Sequence, residues 1–429
     1  SGDGETLAAL DGYLCELKEM QIRDGLHQLG CAPSGELLRD TLVALARVPR
    51  GKGQGGDASL LRALADDLGL DFDPLDTALG APWQGQRPEI LSGDAPWRTL
   101  GDTLERLEAL AARLVEGRTT APDHWHATRA VLDEIETRFR PAIAQSAQNE
   151  LQAIAAGLAG RFVPPGPSGA PSRGRPDVLP TGRNFFGIDN RSLPTPAAWQ
   201  LGWQSAAQLL ERYRQDEGRW PRALALSAWG TANMRSGGDD IAQALALLGA
   251  RPTWDAASGR VTGFEILPLS LLGRPRIDVT LRVSGFFRDA FPGQMDLIDS
   301  AVQAIAALDE PQEENPLAGR VAQDCAAWQA RGLSESEAWR RATLRVFGSK
   351  PGAYGAGLQA LIDEGGWQDR DDLATAYLHW SGYAYGGGAA GVRQADAFAA
   401  RLAATDAVIH NQDNREHDLL DSDDYYQFA

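Results

Sequence analysis

Cysteine is scarce in this chain: three in 429 residues, Cys15, Cys31 and Cys325, with no Cys-x-x-Cys pair. An odd, scattered set indicates neither a disulfide framework nor a zinc knuckle, and it fits a reducing cytoplasm. Basic residues are outnumbered, 41 Lys and Arg against 58 Asp and Glu, for a formal net charge of −17. That balance argues against a general binder of nucleic acid or of anionic membranes, because phosphate needs a basic surface. An anionic small molecule stays open, provided that arginines gather locally. No run of about 18 apolar residues occurs, so nothing is expected to span a bilayer. No basic-then-apolar segment opens the chain, so no secretory signal is expected. The phosphate-loop spacing GxxxxGK[ST], the GxSxG elbow and HExxH are all missing. ATP hydrolysis on this chain is therefore not expected.

What is present is ordinary for a globular protein, with 43% hydrophobic and 23% charged residues. The length predicts two to four domains. The chain starts at Ser1 and stops at Ala429 after an acidic, aromatic run. Both ends read as cut, so a fragment is expected.

Residues 1–160 read as mainly helical. Leu7, Leu10, Leu14 and Leu17 recur at helical steps, as do Leu100, Leu104, Leu107, Leu110 and Leu114. Gly69 and Gly117 follow such runs and suit helix ends. The stretch Gly51 to Gly56 reads as a mobile surface loop between helices. Residues 161–195 read as a connector, since Val163 to Pro180 holds six prolines and three glycines. Such a run excludes helix and central strand and favours an extended, semi-rigid path. Thr195-Pro196 reads as an N-cap with Pro at the first helical position.

Residues 196–310 change character. Ala223 to Trp229 predicts a buried strand, then a loop from Gly230 to Asp240, then a helix carrying Ile241, Leu245 and Leu248. Ile277 to Val283 predicts a second strand, followed by the polar stretch 284–294 and a helix through Leu297 and Ile305. Strand, polar loop and helix, twice over, predict an α/β core beside the helical N-terminal region, in a multidomain fragment. Ligands in such sheets sit at the carboxyl ends of the strands, which singles out 230–240 and 284–294. Residues 311–404 read as helical, broken by glycines at 352–357 and 386–388. A last strand, Ala407 to Ile409, runs into His410.

Three groups of side chains could carry chemistry. His410 to Asp418 packs two histidines, His410 and His417, and three carboxylates, one of them Glu416, into nine residues. Imidazole with carboxylate suits a borderline divalent ion such as Co2+ or Zn2+, while a solvated polar loop is the alternative. Glu16 lies beside an apolar stripe and His27 follows it, so both suit either a cleft or a surface. Arg183, Arg191, Arg235 and Arg288 punctuate the candidate loops, and Arg is suited to bidentate carboxylate recognition, though also to surface ion pairs. His124 and His126 flank Trp125 and read as structural.

Several stretches together resemble one family. They are Tyr13-Leu14-Cys15-Glu16-Leu17-Lys18-Glu19 with Gly25-Leu26-His27, then Val178-Leu179-Pro180-Thr181-Gly182-Arg183-Asn184-Phe185, Trp229-Gly230-Thr231, and Gly273-Arg274-Pro275-Arg276-Ile277-Asp278-Val279. Ser284-Gly285-Phe286-Phe287-Arg288-Asp289 and Gln294-Met295 complete the set. In this order they look like the large subunits of the class I chelatases, the magnesium chelatase H and CobN family. The ending, with His410 and His417, looks like the cobalt branch, since imidazole in place of oxygen ligands favours cobalt over magnesium.

The resemblance implies a cytoplasmic, tetrapyrrole-binding ligase subunit of cobalamin biosynthesis. It would insert Co2+ into hydrogenobyrinic acid a,c-diamide, with ATP-Mg2+ hydrolysed on a separate two-subunit AAA+ motor complex. By the same resemblance, Glu16 and His27 would serve as base and metal delivery, with His410, Glu416 and His417 as further metal ligands. Arg183, Asn184, Arg235 and Arg288 would hold the substrate. Two other readings stand beside it: an H-like subunit inserting Mg2+ into protoporphyrin IX, and a tetrapyrrole-binding module without turnover.

Overall fold

A computed structural model describes residues 28–412, apart from 51–52, 172–174, 256–257, 356 and 387. The chain forms two compact units that divide between Phe186 and Gly187.

The first unit is helical: α1 (Gly35–Arg47), α2 (Leu60–Asp67), α3 (Leu100–Val115), α4 (His126–Glu134) and α5 (Arg140–Leu158). The leucine spacing of α3 works as expected. Leu107, Leu110 and Leu114 are buried, and Leu100 and Leu104 pack on the same core with Leu42, Leu64, Val131 and Phe139. Thr99 and Asp102 close a capping box at its start, supplying acceptors to backbone N–H groups that the first turn leaves open. Gly69 and Gly117, both at positive φ, lie just beyond α2 and α3. A π-helical turn, Ile135–Phe139, joins α4 to α5 and puts both of its end residues into the core.

The described part of the glycine-rich loop, 53–56, lies at the surface, with Gln54 and Gly55 exposed. Buried Arg50 donates to the carbonyls of Leu45, Val48, Gly56 and Ala58 and so ties the loop to the end of α1. Burial lowers the Arg50 guanidinium to about 10.

The proline-rich run contributes a short strand. β1 (Pro165–Pro167) pairs in parallel with β2 (Asn184–Phe186) in a two-stranded sheet. Proline is tolerated there because such a sheet has only edges, where a missing donor costs nothing.

The second unit is an α/β layer structure. Its six-stranded sheet has the order β10-β3-β6-β7-β8-β9, built from β3 (Ala223–Ala228), β6 (Asp278–Val283), β7 (Val346–Gly348), β8 (Tyr383–Gly386), β9 (Ala389–Arg393) and β10 (Ala407–His410). The four strands β10, β3, β6 and β7 run parallel, while β8 and β9 are antiparallel additions. A separate hairpin pairs β4 (Ala250–Trp254) with β5 (Val261–Ile266).

One face of the sheet carries Leu224, Leu226, Val279, Leu281, Val283, Val346 and Ile409 into the main core. Helices α6 (Pro196–Glu217), α7 (Gly230–Ser236), α8 (Asp239–Leu248), α9 (Gly285–Ala290) and α10 (Pro292–Ala306) accompany that core. Thr195 caps α6, accepting from Ala198 N–H at 3.1 Å ahead of Pro196, as its sequence predicts. The opposite face is more polar, with Asp278, Thr280 and Arg282 alternating against the apolar set on β6. α11 (Pro316–Ala330) and α12 (Glu335–Ala342) add Leu317, Val321 and Ala342 to the main core, while α13 (Gln359–Asp363), α14 (Arg370–Ser381) and α15 (Ala395–Ala403) pack into smaller clusters. Phe347, Ala384 and Phe398 form a small second core there.

Two expectations are corrected. Residues 311–404 are not purely helical, because β7, β8 and β9 lie among the helices. The stretch 230–240 is a loop only at Gly237-Gly238. The rest is α7 and the start of α8, and α9 likewise occupies most of 284–290. Two glycines at positive φ, 78° and 99°, make that abrupt break between helices affordable.

Candidate functional site

The four parallel strands deliver their carboxyl ends to one edge of the sheet. β3 ends at Trp229-Gly230, β6 at Ser284-Gly285, β7 at Ser349 and β10 at His410-Asn411. Three of the sequence stretches singled out above therefore meet here. The glycines explain why. A Cβ on Gly230 would sit 2.3 Å from the Phe286 ring, and one on Gly285 would sit 2.9 Å from the Ala353 carbonyl. Ser284 fastens the two strand ends, its Oγ accepting from Gly230 N–H at 3.3 Å and from Phe287 N–H at 3.1 Å.

Register fixes which side chains share a face. His410 is aligned with Ser227, and Ser227 with Arg282, so the three form one row across β10, β3 and β6. The His410 ring meets the Trp229 ring edge-on, 5.8 Å between centroids at 68°. Arg282 is buried, donates to Ser381 Oγ at 3.2 Å and lies 5.9 Å from the centroid of the Tyr377 ring. Burial pushes the Arg282 guanidinium down to about 10 and pushes the Tyr377 phenol up.

Asn411, the next residue, points to the other face. Its Nδ2 donates to Asp240 Oδ1 at 2.8 Å and to Gln243 Oε1 at 2.7 Å, both on α8. The second oxygen of Asp240 accepts from Asn233 Nδ2 at 2.8 Å, and the same amide nitrogen donates to the Trp229 carbonyl at 2.8 Å. Asp240, only 4% exposed, is thus the hub that fixes the ends of β3 and β10 together. Gln243 in turn donates to Ser205 Oγ at 2.8 Å. The acceptor-only Asp240 carboxylate turns the Asn411 amide nitrogen toward α8, and that nitrogen in turn requires the oxygen of the Gln243 amide.

Of the residues expected to act, His410, Arg235 and Arg288 come to this edge, on β10, α7 and α9. Arg235 is half-buried in the last turn of α7. Arg288 is buried, and its donors face protein. Nε and Nη2 grip Asp289 at 2.6 and 2.8 Å, and Nη1 meets the carbonyls of Ser349, Lys350 and Ala353 at 2.8 to 3.3 Å. The Asp289 pair raises the Arg288 guanidinium, and Arg288 with Tyr354 holds the Asp289 carboxyl below its ordinary range. Arg288 therefore shapes the loop that follows β7.

Arg183 and Asn184 belong to the first unit and are exposed at the start of β2. Arg191 is exposed and paired with Asp189. His124 and His126 flank the buried Trp125 at the start of α4. Glu16, His27, Glu416 and His417 lie outside the described residues. Among the described residues no group of three or more His, Cys, Asp or Glu side chains is assembled to hold a metal ion.

Sequence reasoning missed Asp240 and Arg282. A signal for Arg282 existed: in Asp278–Val283 every second residue is polar, which a strand buried on both faces does not need. The arginines of Gly273-Arg274-Pro275-Arg276-Ile277-Asp278-Val279 prove structural. Arg274 donates to the Ala246 and Leu247 carbonyls at the end of α8, and Arg276 pairs with Glu310 at 2.7 Å.

Polar residues gathered at the carboxyl ends of parallel strands form the edge where open α/β sheets hold their ligands. Residues 2–429 match the family model for CobN/Magnesium Chelatase. The chain belongs to this family. It is 59% identical over 446 residues to the aerobic cobaltochelatase subunit CobN of a Sinorhizobium species, covering 99% of this chain and 35% of that protein. It is 40% identical over 284 residues to the chloroplastic magnesium-chelatase subunit ChlH of Oryza sativa subsp. japonica, covering 65% of this chain and 20% of that protein. The solved catalytic subunit of cobaltochelatase from Mycobacterium tuberculosis superposes with a TM-score of 0.69 at 40% identity, covering 95% of this chain and 32% of that one. The chain thus spans about a third of the length of the cobaltochelatase subunits it matches.

Proposed function

We propose that this chain is the central part of the large subunit of an ATP-dependent cobaltochelatase, which inserts Co2+ into hydrogenobyrinic acid a,c-diamide in cobalamin biosynthesis in the cytoplasm. The observation that carries this reading is the 59% identity to CobN over 99% of the chain, against 40% over 65% for a magnesium-chelatase subunit. ATP-Mg2+ would be hydrolysed by a two-subunit AAA+ motor that acts on this subunit.

The chemistry makes three demands. Ring N–H protons must leave as cobalt–nitrogen bonds form, which needs a base within hydrogen-bond reach. Water on the incoming ion must be exchanged for protein ligands, and imidazole with carboxylate suits Co2+. The corrin must be held by its anionic rim. We assign the first role to Glu16 and the second to His27, His410, Glu416 and His417. Arg183, with Asn184 beside it, would hold substrate carboxylates from an exposed position, and Arg235 would do so at the sheet edge. Arg288 would act indirectly, by fixing the 349–354 loop.

The test is cobalt insertion by the full subunit with its motor partners, scanned over Co2+ concentration. Glu16→Gln is expected to keep corrin binding and lose insertion. His27→Ala and His410→Ala are each expected to raise the Co2+ concentration required. Wild-type behaviour of all three variants would refute the assignment, and preferred insertion of Mg2+ into protoporphyrin IX would refute the cobalt reading.

A further inference from the structure

Glu150 stands on α5 in the first unit, 5% exposed, with its carboxylate turned into the protein. A buried carboxylate is costly unless hydrogen bonds replace its water. Here two segments far apart in sequence supply them. Gly30 N–H donates to Glu150 Oε2 at 2.8 Å, from a site 120 residues earlier. Thr181 O–H donates to Glu150 Oε1 at 2.5 Å, from 31 residues later.

The second segment is clamped further. Thr181 N–H donates to Ser146 Oγ at 3.0 Å, and Ser146 Oγ donates to the Ala142 carbonyl at 3.0 Å. Gly182 lies so close to the helix that a Cβ would fall 2.4 Å from the Asn149 carbonyl carbon, and its φ of +79° disfavours other residues as well. Leu179-Pro180-Thr181-Gly182-Arg183 is therefore pressed onto α5 with Glu150 at its centre. The next residue after the clamp is Arg183. Its aliphatic stem covers Gly166, where a Cβ would meet Arg183 Cδ at 2.2 Å, while the side chain stays exposed. The first segment leads back, three residues before Gly30, to His27.

We propose that Glu150 is a positioning residue for substrate binding, which holds Arg183 in place through Thr181. This rests on the reading of Arg183 as a corrin-carboxylate ligand. Arginine gains over lysine only when its fork is correctly aimed, so a displaced backbone at 181–183 would forfeit the bidentate contact.

The experiment is a double-mutant cycle on the full chain, read as the dissociation constant for the metal-free corrin. Glu150→Gln keeps the shape but replaces one acceptor oxygen with a donor. It is expected to weaken binding roughly tenfold, the size of one lost charge-assisted hydrogen bond. Thr181→Val should do the same and Thr181→Ser should not. In an Arg183→Ala background, Glu150→Gln should add nothing.

Equal weakening by Glu150→Gln with and without Arg183 would overturn the proposal alone, since Glu150 would then act elsewhere. Wild-type affinity of Arg183→Ala would overturn the reading of Arg183 and the proposal with it. If Glu150→Gln does not fold, Thr181→Val carries the same cycle, and additivity there overturns the proposal.

Discussion

Asn411 and Asp240, 171 residues apart in sequence, meet at 2.8 Å, the Asn411 amide donating to a carboxylate that is almost fully buried. This bond joins the end of an edge strand to the first turn of α8. Asp240 also receives Asn233, which holds the Trp229 carbonyl, so one carboxylate sets the spacing of the two aromatic rings beyond it. Asp240→Asn turns one of those acceptors into a donor facing a donor. It is expected to cost about 1–3 kcal/mol, the penalty of leaving a buried polar group unsatisfied. Urea denaturation of the chain measures the loss, and a midpoint equal to wild type would count against the hub. In the full enzyme the Co2+ requirement should rise as well, because His410 adjoins Asn411.

Arg288 and Arg183 should part company on substitution. Arg288 is buried with carbonyl and carboxylate partners, so Arg288→Ala leaves buried carbonyl acceptors open and should destabilise by about 1–3 kcal/mol. Arg183 is exposed, with a single long bond to the Leu179 carbonyl at 3.3 Å. Arg183→Ala should leave the melting temperature nearly unchanged and weaken corrin binding by about 1–3 kcal/mol. Thermal melts beside binding titrations separate the two, and similar profiles for both variants would contradict the distinction.

Asp406 predicts a pH effect on the strand that carries His410. Its carboxylate accepts from the backbone N–H groups of Arg222 and Ala223 and from Arg219, and so fastens the start of β10 to β3. Burial works to raise this carboxyl, but Arg219 and the two N–H donors outweigh it and hold it below the ordinary range. The unfolded chain therefore binds this proton more readily than the folded one. The stabilisation is fully present above the ordinary carboxyl pKa of about 3.9 and is lost as pH falls through the depressed native value. The protection of β10 amides against hydrogen exchange, taken relative to the intrinsic rate at each pH, should fall in that acid window in wild type and already at neutral pH in Asp406→Ala. Equal exchange rates in both proteins at neutral pH would rule out the fastening role.

Asp278 and Arg345 form a buried bidentate pair, Nε to Oδ1 at 2.5 Å and Nη2 to Oδ2 at 3.0 Å, at the start of the central strand β6. Asp278→Ala leaves a buried guanidinium uncompensated and should cost about 3–5 kcal/mol. Replacing both partners together, Asp278→Leu with Arg345→Met, should recover most of that loss. A double variant as unstable as the single one would show that the pair does more than compensate itself.

The sequence by itself determined the elements whose evidence is local. The leucine repeat of α3, the Thr195-Pro196 cap of α6 and the apolar runs of β3 and β6 need no distant residue to be read, because helix period, capping and β-branched or apolar runs are short-range. The family was legible as well, since its motifs lie in order along the chain. The short strands Val346–Gly348, Tyr383–Gly386 and Ala389–Arg393 were hidden, being too brief and too glycine-rich to carry a period of two. Only the tertiary structure decided which polar residues meet at the sheet edge and which are taken up within the fold. Arg288 looked like a ligand for anions and is taken up by carbonyls and a carboxylate within the fold. Asp240 and Glu150, which no local pattern sets apart, are buried among the residues they hold. A polar side chain finds its role in its partner, and here those partners come from segments up to 187 residues away, brought together by parallel pairing and helix packing that no local pattern encodes.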